Sequence, residues 1–209
     1  MHKIPYNHVK ISGILFTVII FVWPVFMALS APQGTLEDQI NHLRDDAALF
    51  RLSFALAALI APLLFYLILS VIRKAGEPLT LTQHTGLIFT GIYTVLATIS
   101  YTSQLSLVPA LLHDQSDLLG LFYFFNPHSI PYYLNQLGYS SFGVGVLLLF
   151  AGKLKTVGAQ RWFALLFVLS GALSIIAFMG LLVDSQVING LTLPAGLLLL
   201  PCGILASRL

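Results

Sequence analysis

Six long apolar runs make up most of this sequence, and a lipid bilayer leaves such a chain few ways to fold. Hydrocarbon offers no partner to a backbone N–H or C=O, so only helices and closed barrels cross it. A crossing helix needs about 20 apolar residues at roughly 1.5 Å each. Segments at roughly 11–30, 48–72, 84–110, 131–152, 162–183 and 187–207 reach that length. Charged residues are only 9% of the chain and mean hydropathy is +0.90, whereas soluble domains carry about 25% charge. The expected fold class is all-α. One domain, residues 1–209, forms a polytopic integral membrane helix bundle of six transmembrane helices. Prolines inside spans, at 24, 62 and 201, predict kinks, because neighbouring helices can satisfy the freed backbone groups. The last span is punctuated by Gly190, Pro194, Gly196, Pro201 and Gly203.

The few charges are informative by position. Lys3, Lys10, Arg73, Lys74, Lys153, Lys155, Arg161 and Arg208 fall on one side of the six-span topology. Glu37, Asp38, Asp45, Asp46, Asp114, Asp117 and Asp184 fall on the other, with only Arg44 and Arg51 against them. Basic loops stay in the cytoplasm, so the expected orientation is N-in/C-in with acidic loops outside. The expected location is a cell membrane, crossed several times, of the bacterial cytoplasmic kind. A net charge of +2 is too small to imply a nucleic-acid partner. The first ten residues and the apolar run ending "ALSAPQ" share features with a secretory signal. That run is long for a signal, and an uncleaved first span is the expectation. In the first outer loop, Thr35 and Asp38 have capping-box spacing, and Leu36, Ile40, Leu43 and Ala47 recur at helical steps. A short amphipathic helix over 35–47 follows, or else an early start to span two.

Polar groups inside the spans are concentrated. Thr90, Thr94, Thr98, Tyr101 and Gln104 share one face of span three, and Tyr132, Asn135, Gln136, Tyr139 and Gly143 share one face of span four. A buried amide without a partner costs a few kcal/mol in an apolar medium, so neither face can look at lipid. Two readings stand. The faces bond to each other as interhelical glue, or they line a pocket of the aromatic, sparsely polar kind that takes small molecules. Candidate ligand-binding residues are Tyr101, Gln104, Asn135, Gln136 and Tyr139, with His128 and Arg51 near the outer rim. Arg51 reads first as a snorkelling cation, or one paired with Asp184, Asp114 or Asp117, and second as an anion clamp at the cavity mouth. The aromatic run at 122–133 predicts a belt at the headgroup level. Within it, Asn126-Pro127 predicts a turn and Ile130-Pro131 a helix start.

Other chemistries lack their residues. Cys202 is the only cysteine, and the six histidines show no i,i+4 pair, so no metal site or cofactor is expected. No G-x-S-x-G elbow, phosphate-cradling glycine loop or intramembrane acid pair occurs, and no catalytic residue is assigned.

The stretch "LFRLSFALAALIAPLLFYLILSVIRKAGEPLTL" (49–81) resembles the second-helix region of small bacterial six-helix membrane proteins grouped as a family of unknown function. "NPHSIPYYLNQLGYSSFG" (126–143) is similar to the fourth helix of proteins of that kind. The resemblance covers about a quarter of the chain and implies the six-helix architecture, with no activity attached.

The expected function is non-enzymatic: binding a small lipophilic or weakly polar molecule near the outer leaflet, in transport, sensing or as an accessory subunit. One alternative is a membrane-embedded enzyme acting on a lipid or isoprenoid, with Tyr101, Tyr139, His128 and the outer aspartates as acid–base candidates. The other is a structural subunit of a membrane complex. Expected partners are the lipid bilayer, a small lipophilic ligand, and another membrane protein or a second copy of the chain.

Overall fold

The structure, a computed structural model, describes residues 6–30, 33–45, 47–74, 76 and 78–209. Lys3 and Asp46, used above to orient the chain, lie outside the described residues. Six helical segments are long and apolar enough to cross a membrane: His8–Leu29, Ala48–Lys74, Leu81–His113, Ile130–Lys155, Gly158–Leu182 and Gln186–Ala206. The described residues contain no strand. The protein is a multi-pass, all-α membrane bundle, as the apolar runs require.

The first span is α1 (Tyr6–Leu29), followed by α2 (Leu36–Asp45), α3 (Ala48–Lys74) and α4 (Leu81–His113). A four-residue helix, α5 (Leu119–Phe122), precedes α6 (Ile130–Phe150), which runs through a 3-10 turn at Ala151–Lys155 into α7 (Gly158–Leu182). The sixth span is broken into α8 (Gln186–Asn189), α9 (Thr192–Leu197) and α10 (Cys202–Ala206). Its breaks have a local cause. Pro194 and Pro201 have no N–H for the turn behind them. The residues before Pro201 tighten instead, with Leu199 N bonding Gly196 O and Leu200 N bonding Leu197 O, three residues back.

Helix starts follow the sequence signals. Asp38 N donates to Thr35 Oγ1 while Thr35 N and its hydroxyl donate to Asp38 Oδ2, which caps α2. The amphipathic outer-loop helix therefore forms as a separate element. These bonds, the hydroxyl's first, hold the Asp38 carboxyl below its ordinary pKa. A depressed carboxylate supports the fold above its unfolded pKa and loses that support as pH falls through the folded value. Lowering pH below about 4, or substituting Asp38→Ala at neutral pH, is expected to reduce the protection of the Asp38–Asn41 amides, taken as exchange relative to the intrinsic rate at the same pH. Protection factors unmoved by either change would contradict the cap.

Helix 4 opens on a full capping box between Thr80 and Gln83. In α6, the Ser129 hydroxyl accepts from Tyr132 N, and Pro131 sits in the first turn. The turn before it closes on Asn126 Oδ1, which accepts from His128 N.

The start of α1 and the C-terminal Leu209 lie at one end of the bundle. His8 Nδ1 meets the Tyr66 hydroxyl at 2.8 Å, joining the start of α1 to the end of α3. Leu209 shares a small hollow with Val71, Lys153 and Phe163. Packing pairs α1 with α3 and α10, α3 with α4, α4 with α6, and α6 with α7. Helix 1 is built into the bundle, burying Val9, Phe16 and Ile20 while Ile14, Val18, Phe21 and Val25 face outward. Outward apolar faces of this kind suit lipid contact.

Two crossings depend on glycine. At α6–α7, a Cβ on Gly143 would overlap the Gly171 carbonyl and come within 2.8 Å of Ile175 Cγ1. At α1–α10, a Cβ on Gly203 would overlap the Thr17 hydroxyl and the Gly13 carbonyl. Small residues let backbones approach this closely in membrane bundles.

Candidate functional site

The third and fourth spans, α4 and α6, meet along a filled seam. Ser100 Oγ donates to Pro131 O at 2.7 Å, and Thr90 packs against Gly145. Thr90 and Thr94 satisfy their hydroxyls on their own helix, at the Gly86 and Thr90 carbonyls. No gap separates the two polar faces. They divide their work instead.

One part is glue. Gln104 is fully buried, and its amide clamps the loop after α5: Oε1 accepts from Phe124 N at 3.0 Å, and Nε2 donates to Phe122 O at 2.9 Å. This clamp turns the loop inward, which overturns the expected headgroup belt for its central rings. Tyr123 and Phe124 are buried and pack with Phe50, Phe54 and Phe125. Burial also raises the Tyr123 hydroxyl's pKa far above its ordinary value. Tyr133, at 45% exposure, keeps an outward position.

The other part is a wall. A cavity of about 420 Å3 lies between α1, the cavity-facing side of α4 and α6, and the broken sixth span. Two further hollows, of about 40 and 30 Å3, have room only for a water or two. Tyr93 and Tyr101 of α4, with Tyr132, Asn135, Gln136 and Tyr139 of α6, form one side of the large cavity. Ile20, Trp23, Pro24 and Met27 of α1 form the opposite side, and Thr192, Leu193 and Gly196 of α9 complete it. Ile60 of α3 and Phe124 close it further.

The wall on α6 is tied to the sixth span. Asn189 Nδ2 donates to the Tyr132 hydroxyl at 2.8 Å, and Thr192 Oγ1 donates to Gln136 Oε1 at 3.0 Å. Ser170 Oγ of α7 donates to Ala195 O, securing the broken span. The Tyr101 and Tyr139 hydroxyls stand 3.4 Å apart, a long contact that leaves both with hydrogen-bonding capacity. Asn135 Oδ1 and Trp23 Nε1 are buried and have no hydrogen-bond partner.

No protein-family model, curated protein or solved structure matches this chain. What the site can do therefore rests on its own geometry. Its side chains offer phenol, amide, indole and hydroxyl groups in an aromatic and aliphatic setting, with no Asp, Glu, Lys, Arg or His among the described residues of the wall. Such a surface can orient an apolar body and bond a few polar atoms.

Four residues singled out in the sequence meet here: Tyr101, Asn135, Gln136 and Tyr139. Three do not. Gln104 is the loop clamp, Arg51 sits exposed in the first turn of α3, and His128 is exposed in the turn before α6. Among the described residues, no group of three His, Cys, Asp or Glu side chains comes together. The α1 side of the cavity was missed, because Trp23, Pro24 and Met27 give no polar pattern. A signal for it did exist. Pro24 in the first span and the Gly-Pro interruptions of the last one mark helices whose backbone is disturbed at membrane depth, and such segments favour cavity walls.

Proposed function

We propose that this membrane protein holds a small lipophilic or weakly polar molecule in the cavity between its first, fourth and sixth spans. The observation carrying this reading is that cavity's makeup: about 420 Å3, walled by rings and aliphatic groups, with amide and phenol groups along one side. Its size falls within the range of about 300–1,000 Å3 typical of small-molecule sites. The broken sixth span adds support, since discontinuous helices in membrane proteins line substrate and ion sites.

Access comes from the bilayer. Helix 1 packs chiefly on α3 and α10, and residues of its second half, Ile20 to Ala28, border the cavity. The cavity occupies the half of the bundle away from Lys10, Arg73, Lys74, Lys153, Lys155 and Arg208. With that basic end in the cytoplasm, the site lies in the outer leaflet of a bacterial cytoplasmic membrane. Holding is favoured over turnover because, among the described residues, the wall is made of phenol, amide, indole and aliphatic groups without a carboxylate, imidazole or ammonium group. Transport, sensing and service as an accessory subunit all use such a site.

Gly196 provides the test. It lines the cavity, and a Cβ placed there meets no heavy atom within 4 Å. Substitution Gly196→Phe is expected to leave the fold intact and displace the occupant. Native mass spectrometry of protein released from membrane patches should show a small bound mass on the wild type that is absent from the variant. Equal spectra for the two proteins, with or without adducts, would defeat the reading.

A further inference from the structure

Resting on that reading, we infer that the cavity selects uncharged, ring-bearing lipophiles that carry both a hydrogen-bond donor and an acceptor, hydroxylated aromatics being the simplest members of the class. The inference begins with two orphaned atoms. Among the described residues, six buried side-chain polar atoms lack a partner, and two of them belong to residues that line this one cavity, on α1 and on α6. Trp23 Nε1 on α1 is a donor only, and Asn135 Oδ1 on α6 is an acceptor only. Buried polar groups are nearly always satisfied, so an unpaired donor and an unpaired acceptor on residues lining one cavity call for an explanation.

Packing does not supply one. The neighbouring polar groups on α6, Tyr132 and Gln136, are already bound by Asn189 and Thr192. Both are positioned by the protein, whereas Asn135 Oδ1 is left over. Both atoms are covered in this structure, so the inference requires the indole and the amide each to turn onto the cavity when a ligand enters. A ligand that accepts from Trp23 and donates to Asn135 satisfies both. The Tyr101–Tyr139 hydroxyl pair lies on the same side as Asn135 and can extend the bonding to a second polar atom of the ligand.

The rest of the wall narrows the class. With no ionisable carboxylate, imidazole, ammonium or guanidinium group lining it, a charged ligand would lose its hydration without compensation. Trp23, Tyr93, Tyr101, Phe124 and Tyr139 present rings, which favour a flat aromatic body. A neutral compound with a hydroxyl on a ring is the simplest member of the class, because a hydroxyl supplies both a donor and an acceptor.

Four probes of nearly one shape separate these requirements. 2-Naphthol donates and accepts, 2-methoxynaphthalene only accepts, 2-methylnaphthalene does neither, and 2-naphthoate is charged. Binding is measured on the full-length protein in nanodiscs, with partitioning into empty nanodiscs subtracted. The Trp162→Phe background leaves Trp23 as the sole indole reporter. 2-Naphthol is expected to bind at least about tenfold more tightly than 2-methylnaphthalene, a difference of about 1.4 kcal/mol. 2-Methoxynaphthalene should fall between them, and 2-naphthoate should bind most weakly. In Asn135→Leu the naphthol preference should shrink to that of the methoxy compound.

Equal binding of naphthol and methylnaphthalene to the wild type would overturn the inference and leave the cavity reading standing. So would tight binding of naphthoate. Failure of all four to bind above the empty-nanodisc level would overturn both. The comparison among probes on the wild type needs no variant to fold.

Discussion

Replacing Gly143 with valine is expected to prevent the bundle from assembling. Helices 6 and 7 cross where Gly143 and Gly171 bring backbone against backbone. A Cβ on Gly143 overlaps the Gly171 carbonyl, and a branched side chain would also strike Ile175. A flexible side chain could swing away, but a carbonyl in a helix cannot. Overpacking costs roughly 1–3 kcal/mol where neighbours can shift, and more where they cannot. The expected loss is about 3 kcal/mol or more, read as aggregation on solubilisation or failure to reach the membrane in folded form. Gly196→Ala is the matched control, since its Cβ meets nothing within 4 Å, and it should behave as wild type. If Gly143→Val folds with an unchanged melting temperature, the α6–α7 crossing is wrong.

The second large effect separates two residues with the same appearance in the sequence. Gln104→Leu removes the acceptor for Phe124 N–H and the donor for the Phe122 carbonyl, with little change in volume. Leaving a buried backbone group unsatisfied costs about 1–3 kcal/mol, so losing two partners is expected to cost about 2–4 kcal/mol. For a chain of this length that is a fall in melting temperature of about 5–15 °C. Asn135→Leu removes an amide oxygen that has no partner, and its stability should stay within about 1 kcal/mol of wild type. Its deficit should appear in binding instead. Circular dichroism melts of both variants in the same detergent, beside probe binding, decide the matter. Reversal of the pattern, with Asn135→Leu unstable and Gln104→Leu merely unable to bind, would exchange the roles assigned to clamp and wall.

These two residues also mark where reading the sequence stops. Gln104 and Asn135 both sit on polar faces of spans, and helical spacing places each face toward the protein interior. Spacing cannot distinguish them further, because what lies above each face is set by chain that is distant in sequence. The loop 122–125 covers Gln104 and consumes its amide, while α1 and α9 stand away from Asn135 and leave space. The six spans were legible because apolar length alone determines them. The starts of α2 and α6 were legible because Thr35–Asp38 and Ile130-Pro131 act locally.

The inward turn of Tyr123 and Phe124 was not legible. Aromatic residues near a span end suit a headgroup belt and a buried cluster equally, and only the Gln104 clamp decides between them. The contribution of α1 was hidden for a related reason. Trp23, Pro24 and Met27 are as apolar as lipid-facing residues, so no face stands out until the neighbouring helices are in place.

The most direct measurement is an experimental density map of the protein prepared from its native membrane without added ligand. The region to inspect is bounded by Trp23, Asn135, Tyr139 and Gly196. The account expects density there for a compact, uncharged lipophile, within hydrogen-bonding distance of the Trp23 indole nitrogen or the Asn135 amide oxygen. A map in which α1 closes onto α6 and α9, with side chains filling the space and Asn135 bonded within the protein, would contradict it.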